Sequence, residues 1–190
     1  SAVLGDCRVT KANTAQGLSF GRGRLPLERA ALALAMCGAA SQAQALTSEL
    51  TKRFPEDTLS QEIWQPLVRA ALQLQRGSNQ GAAQVIEQLQ STTRYESVAE
   101  FWPQYLRGLA YLKLGRGVES TVEFQKILDH RGYAPLSSLY PLAQLGLARA
   151  AALTGDTVKS RKSYEDFFAA WQQTDLELPI LREARREHKR

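Results

Sequence analysis

The sequence predicts an all-α protein, built as a solenoid of consecutive helical hairpins. Three observations lead to that prediction. Leu, Ala, Gln and Arg dominate the 190 residues and β-branched residues are sparse, a composition that favours helices over strands. Glycines recur at a period near 39 residues within apolar helical patterns, and a fixed period of that length is typical of repeat architectures. The residues flanking each glycine also repeat, small residues with small ones and large residues with large ones.

Four glycines define the repeat, with separations of 39, 38 and 40 residues: Gly38, Gly77, Gly115 and Gly155. Seven residues before each glycine stands a small residue: Ala31, Ala70, Gly108 and Ala148. Five residues after each glycine the residue is small again: Ala43, Ala82, Ser120 and Ser160. Nine residues after each glycine the residue is large in all units but the first: Thr47, Ile86, Phe124 and Tyr164. Small residues at matched positions let two helices approach closely, and the large ones fill the space between successive pairs.

Each unit is predicted to be a helix, a turn and a second helix. The apolar stripe of the first helix stops at the glycine and resumes beyond it at helical spacing. Glycine suits this turn because it accepts a positive φ just past a helix end. Ser78 and Asp156, each next to its glycine, are predicted to cap the helix that follows. Between the first two units, Pro55 ends one helix and Asp57 or Thr58 caps the next.

The repeats divide the chain into three parts. Residues 1–23 form a partial hairpin and the loop of a truncated repeat, with Gly17 to Gly23 as that loop. Residues 24–174 hold four hairpins, and residues 175–190 hold a closing helix with a basic tail. That last helix is strongly charged on one side, as expected where a solenoid meets solvent. The chain lacks an initiator Met and begins within a pattern, so we expect a fragment of a longer protein.

The hairpin pattern resembles the tetratricopeptide repeat (TPR) over roughly Leu25 to Trp171. Shared features are the small residues at the helix crossing and the turn glycine. The units exceed the usual ~34 residues, and the tyrosine expected near the end of the first helix appears only as Tyr111. The resemblance implies a right-handed α-solenoid whose first helices line a concave groove. Its implied function is binding a protein or peptide partner in that groove, as a scaffold or sensory module.

Four longer stretches, "ELTKRFPEDTLSQEIWQPLVRAALQL", "EFQKILDHRG", "LGLARAAALTGDTVKSRKSYEDFFAAW" and "LPILREAR", carry a narrower resemblance. They are similar to the C-terminal repeat region of some multi-domain bacterial serine/threonine protein kinases. Related repeats also follow other N-terminal domains, including winged-helix regulators. The chain itself lacks an HRD-type catalytic loop, a DFG triplet and a Val-Ala-Ile-Lys strand, so it is not predicted to be an enzyme. The resemblance implies the accessory region of a bacterial signalling protein.

Two arginines at matched positions are the first candidates for partner binding. Arg69 and Arg107 stand eight residues before their turn glycines, where the other two units have Ala30 and Leu147. In the structural interpretation each guanidinium pairs with a carboxylate or caps carbonyls between hairpins. In the functional interpretation the two anchor an acidic or C-terminal carboxylate group. Both interpretations stay open at this point.

Two tryptophans repeat in the same way. Trp64 and Trp102 stand thirteen residues before their glycines, and each is followed closely by a proline. They are predicted either to pack in the core or to expose a ring in the groove as an anchor. The complete set of candidate partner-binding residues is Arg69, Arg107, Tyr105, Gln104, Lys113, Gln144, Arg149, Trp64 and Trp102.

Two short motifs resemble catalytic ones and lack the required context. The sequence "GLSFG" around Ser19 matches the G-x-S-x-G of a hydrolase, but polar residues precede it where a buried strand is needed. The only histidines are His130 and His188, at a helix end and in the charged tail. The sequence "LGRG", 114–117, lacks the Lys-Ser/Thr of a phosphate-binding loop. We predict no catalytic residue, no cofactor and no small-molecule substrate.

The net charge of +5 is concentrated at one end. Residues 182–190 carry five Lys or Arg against two Glu, which leaves +2 for the rest of the chain. A nucleic-acid-binding domain usually has a basic stripe across its folded part, so binding of nucleic acid by this tail is the less favoured alternative. Self-association of the solenoid is another alternative.

The two cysteines, Cys7 and Cys37, form no metal-binding pattern. Cys37 lies in an apolar run, so we expect a buried free thiol rather than a disulfide. No apolar run approaches the ~20 residues of a transmembrane helix, and the N-terminus lacks the features of a signal peptide. The compartment stays open: cytoplasmic, or extracytoplasmic if a membrane span precedes this region in the parent protein.

Overall fold

A computed structural model describes residues 2–90, 99–171 and 178–189, and those residues form helices connected by turns. The all-α class is confirmed. A 3₁₀ turn, Ala2–Leu4, precedes the first α-helix, and a π-helical turn, Ser60–Trp64, leads into the fourth. The α-helices are α1 (Cys7–Phe20), α2 (Arg24–Met36), α3 (Ala40–Arg53), α4 (Gln65–Gln75), α5 (Asn79–Gln90), α6 (Trp102–Lys113), α7 (Gly117–Asp129), α8 (Leu139–Leu153), α9 (Thr157–Ala169) and α10 (Pro179–His188).

Four helical hairpins follow one another along the chain: α2–α3, α4–α5, α6–α7 and α8–α9. The predicted turn glycine lies between the two helices of each, with a positive φ of 67° to 76° at every one. A residue with a Cβ is strained in that conformation. The repeated glycines of the sequence therefore mark turns with the same backbone conformation, as predicted.

Polar side chains cap the following helices where the sequence indicated. The carboxylate of Asp156 accepts a hydrogen bond from the backbone N–H of Lys159 at 2.9 Å. Ser78 Oγ accepts one from the N–H of Gly81 at 3.0 Å. Asp57, rather than Thr58, caps the turn that begins at Ser60. These bonds satisfy N–H groups that have no partner inside the helix.

The hairpins stack in two layers. The first helices of successive hairpins contact one another, α2 with α4, α4 with α6 and α6 with α8. The second helices α5 and α7 pack instead against the first helix that follows each of them. The first helices of neighbouring hairpins are thus closer to one another than the second helices are, which places the first helices on the inner side of the stack. We call the surface formed by α2, α4, α6 and α8 the inner face.

The ring of Phe124 fixes the spacing between the third and fourth hairpins. It is fully buried and lies against two glycines, Gly108 on α6 and Gly146 on α8. A Cβ at Gly108 would come within 2.7 Å of the ring, and one at Gly146 within 2.5 Å. Only glycine leaves room for the ring on both helices, so α6 and α8 can share one aromatic side chain.

The small residues at matched positions also form hydrogen bonds across the hairpins. Ser120 Oγ donates to the carbonyl of Gly108 at 3.0 Å. Ser160 Oγ donates to the carbonyl of Ala148 at 2.9 Å. In both hairpins the donor stands five residues after the turn glycine and the acceptor seven before it. The pairing explains why serine occupies this position in the third and fourth units.

The N-terminal segment differs from the sequence-based expectation in two ways. Cys7 and Cys37 form a disulfide, with their Cα atoms 5.4 Å apart, so the expected free thiol was wrong. The reason is that α1 packs against α2 and brings its first residue to the last turn of that helix. In addition, α1 continues through Gly17 as far as Phe20, which confines the loop to residues 21–23.

We expect Gly146→Ala to destabilise the fold, because the new methyl group would overlap a ring that Gly108 prevents from moving away. Overpacking of this kind costs about 1–3 kcal/mol. The control is Gly17→Ala, another glycine inside a helix but with open space around its Cβ position. That change should leave stability unchanged or raise it by up to about 1 kcal/mol. Urea unfolding followed by circular dichroism distinguishes them, and equal midpoints for the two variants would contradict the packing.

Removing the disulfide by Cys7→Ser with Cys37→Ser should lower the free energy of unfolding by about 3 kcal/mol, since it releases a loop of 30 residues in the unfolded chain. Thermal unfolding with and without reductant measures the effect. The wild-type chain should lose the same amount on reduction, and the double variant should be insensitive. Two alkylatable thiols in the non-reduced, unfolded wild-type chain would contradict the pairing.

Candidate functional site

The C-terminal helix α10 lies against the inner face, and Arg149 of α8 is the centre of the contact. Its guanidinium binds two carboxylates that are one turn apart on α10. Nε donates to Glu187 at 2.9 Å, and Nη2 donates to both Glu183 and Glu187 at 3.0 Å. A planar guanidinium suits such a two-carboxylate contact because its N–H donors are fixed in a fork.

The end of α10 also contacts α9. The hydroxyl of Tyr164 donates to Glu187 at 2.9 Å. The ring of His188 lies with its centroid 5.3 Å from that of Tyr164 and 5.8 Å from that of Phe168. Glu187 is therefore shared between a first helix and a second helix of the last hairpin.

The apolar side of α10 includes two buried residues three positions apart, and the partly buried Ile180 also packs against the core. Leu181 is 2% exposed and Ala184 is 0% exposed, and both belong to the same core cluster as the hairpins. On the other side of the helix the basic residues are exposed: Arg182, Arg185, Arg186 and Lys189. This is an amphipathic helix whose charged side faces solvent and whose acids point to Arg149.

The start of α10 meets the other end of the chain. Pro179 lies against Gly5, where an added Cβ would come within 2.9 Å of the proline ring. The 3₁₀ turn Ala2–Leu4 packs on both α2 and α10. Because the disulfide ties the start of α1 to the end of α2, it also positions the turn that supports Pro179. Thus α10 connects the first hairpin, through this turn, with the last.

The ion pairs keep Arg149 charged although its surroundings are partly buried. Burial opposes the charge, but the bonds to Glu187 and the field of Glu183 outweigh it, so the pKa of Arg149 is raised. Burial raises the pKa of Tyr105, which lies in the field of Arg149 and Glu183, to about 12. Burial also raises the pKa of Tyr164, and its bond to Glu187 adds to that effect. Both phenols are thus neutral, and that of Tyr164 donates its proton to Glu187.

An open hollow of about 680 Å³ lies beside the end of α10. Residues from four helices line it, among them Leu112, Arg149, Leu153, Arg161, Tyr164 and His188. Leu153 is 51% exposed, and Arg161 is exposed and forms no ion pair or hydrogen bond within the described part of the chain. The hollow combines apolar surface with an available cation.

The matched arginines Arg69 and Arg107 lie in different environments. Arg107 is 3% exposed and binds Glu123 through Nη2 at 2.8 Å. Its Nη1 donates to the carbonyl of Leu89 at 3.0 Å, which joins the second hairpin to the third. These contacts support the structural interpretation for Arg107. Arg69 is exposed and has no such partner in the ranges that the structure describes.

The matched aromatic residues lie mainly in the core. Trp64 is 2% exposed and lies beneath the guanidinium of Arg29, 4.4 Å from the ring centroid. Trp102 is half-buried and meets Tyr105 edge-on, with centroids 6.0 Å apart. Tyr105 is itself 6% exposed and packs on Phe124. Their positions favour core packing over an exposed anchor.

The other candidates are dispersed. Gln104 is fully buried, and its side-chain amide forms no hydrogen bond among the described residues. Gln144 lines a separate hollow between α7, α8 and α9, and Lys113 is exposed at the end of α6. Of the predicted set, the structure thus brings together Tyr105 and Arg149 at α10. Sequence reasoning did not select Glu183, Glu187 or Tyr164, although the acids at i and i+4 in a basic tail were visible.

The residues of the apparent catalytic motifs lie at helix ends and bond to backbone carbonyls. Ser19 lies in the last turn of α1, and its hydroxyl donates to the carbonyl of Gln16. His130 ends α7 with Nδ1 2.8 Å from the carbonyl of Lys126. Across the described ranges, no group of three or more His, Cys, Asp or Glu side chains is placed to hold a metal ion. Nor does any helix there have the length and apolarity to cross a membrane.

Comparison with models of protein families, with curated proteins and with solved structures finds no match for this chain.

The two matched arginines give a direct test of these environments. Arg107→Met should destabilise the chain by about 3 kcal/mol, because it leaves the Glu123 carboxylate buried without its main partner. Arg69→Met at the equivalent exposed position should change stability by at most about 0.5 kcal/mol. Urea unfolding of both variants measures the difference. Equal losses would show that Arg107 is not the buried partner of Glu123.

Proposed function

We propose that this chain is a protein–protein interaction module of the TPR-like kind, a right-handed solenoid that holds a helical or extended segment of a partner on its inner face. The observation that carries the proposal is that the inner face already holds a helix. Arg149 of the inner face binds α10, together with Tyr164 of the adjoining α9 and the core around Leu181, through side chains that such a surface would offer to a partner.

We further propose that the module is the accessory region of a bacterial signalling protein, with a serine/threonine kinase as the favoured parent. The sequence resemblance supports this. The Cys7–Cys37 disulfide supports an oxidising compartment, since such bonds persist outside the reducing cytoplasm. Both the resemblance and the disulfide fit a sensory region that lies outside the cytoplasm and follows a membrane span of the parent protein.

Binding of nucleic acid is the second candidate, favoured by the exposed basic side of α10. Four arginine and lysine side chains there could contact phosphates. Replacing Arg182, Arg185 and Arg186 by Gln should then weaken binding of duplex DNA or RNA and reduce its salt dependence. A wild-type chain that binds neither duplex at low salt removes this candidate.

Site-specific photocrosslinking tests the proposed function. A benzophenone side chain at Lys113 is placed on a first helix, one turn beyond the position that is equivalent to Arg149 in the repeat. The control position is Val122, 51% exposed on the second helix α7. In an extract of the source cells, we expect a discrete partner protein to be crosslinked from Lys113 and not from Val122. Crosslinking from Val122 alone, or only to a second copy of the chain, would contradict inner-face binding.

A further inference from the structure

The helix α10 presents a specific pattern to the surface that holds it. Leu181 and Ala184, at i and i+3, are buried, and Glu183 and Glu187, at i and i+4, bind Arg149. The two pairs lie side by side, so a helix of about two turns is enough to carry both pairs.

This contact is small compared with those inside the solenoid. Two residues of α10 are buried, whereas α8 buries ten along its length. A helix of ten residues is also too short to be stable alone in water. Its stability therefore comes from the contacts with Arg149, Tyr164 and the core. The packing of each hairpin on the next does not include α10.

Departure of α10 would leave a site with a defined chemical preference. With α10 in place the side chain of Arg149 is 24% exposed, and the departure of α10 would remove both carboxylates that bind its guanidinium. The hydroxyl of Tyr164 would lose its acceptor at the same moment. The surface therefore selects carboxylates at the spacing of one helical turn. Arg161, which lines the adjoining hollow without a partner in the described ranges, offers a further cation to a more acidic helix.

We propose that α10 is a replaceable occupant of the inner face, and that the partner docks through an acidic amphipathic helix with the same pattern. Such a helix carries two carboxylates at i and i+4 for Arg149, beside small apolar residues that replace Leu181 and Ala184. This inference rests on the proposed function and specifies its partner. Because α10 is tethered, its effective concentration is high, so the site is closed until a helix that binds better displaces it.

The probe is a labelled peptide with the sequence of residues 178–189, LPILREARREHK, measured by fluorescence anisotropy on the full chain. In a chain with Glu183→Gln and Glu187→Gln, which we call the loosened chain, α10 binds Arg149 more weakly and so competes less with the peptide for the site. The peptide should therefore bind that variant about ten-fold more tightly than it binds the wild-type chain. The matched control peptide has Gln in place of both Glu residues and should not bind.

The role of Arg149 is tested in the same loosened chain. Adding Arg149→Gln should abolish peptide binding, and Arg149→Lys, which keeps the charge without the fork, should weaken it. Circular dichroism and the unfolding midpoint of each variant show that the solenoid is folded. No peptide binding to the loosened chain, equal binding to loosened and wild-type chains, or equal binding of the Gln peptide would each overturn the proposal.

A competition experiment separates this inference from the proposed function. The peptide should suppress the crosslink formed from Lys113 by the partner. A partner that crosslinks from Lys113 while the peptide is bound would leave inner-face binding in place and overturn the acidic-helix inference. If no discrete partner is crosslinked from Lys113 even without the peptide, while the peptide itself binds, the proposed function is overturned and the acidic-helix site is not.

Discussion

The ring of Phe124, held between Gly108 and Gly146, sets the distance on which the inner face depends. Because α6 and α8 each have a glycine, without a Cβ, where they meet this ring, the third and fourth hairpins approach closely. Their first helices therefore lie side by side. Tyr105 packs on the same ring. Arg149 follows Gly146 by less than one turn, so the close packing that brings the helices together also positions the cation that receives α10.

The two ends of the chain complete this arrangement. The disulfide anchors α1 to α2, the 3₁₀ turn Ala2–Leu4 packs on α2 and α10, and Pro179 lies against Gly5. At its other end, α10 is bound through Glu187 to the last hairpin. The helix is therefore supported by both ends of the stack of hairpins. Reduction of the disulfide would loosen the support at Pro179 and leave the bonds to Arg149 intact.

Features that depend on neighbouring residues in the sequence were predictable, and features that depend on distant ones were not. The glycine turns and the caps at Ser78 and Asp156 follow from local backbone chemistry. Arg107 is buried and paired whereas Arg69 is exposed, because only the third hairpin has a glutamate, Glu123, at the position that meets the arginine. The disulfide and the bonds between Arg149 and α10 join residues 30 to 38 positions apart. No periodic pattern in the sequence indicates such contacts. The net positive charge of the tail could therefore be predicted, but the binding of its two glutamates to Arg149 could not.

The central claim is that α10 is held on the inner face through Arg149 and opens independently of the hairpins. Hydrogen exchange of the full chain, followed by mass spectrometry under native conditions, tests it most directly. The account predicts faster exchange in α10 than in α8, and a further acceleration confined to α10 and the N-terminal turn when Arg149 is replaced by Gln. Equal protection of α10 and α8, with both affected together by that substitution, would show that α10 is an inseparable part of the core and would contradict the account.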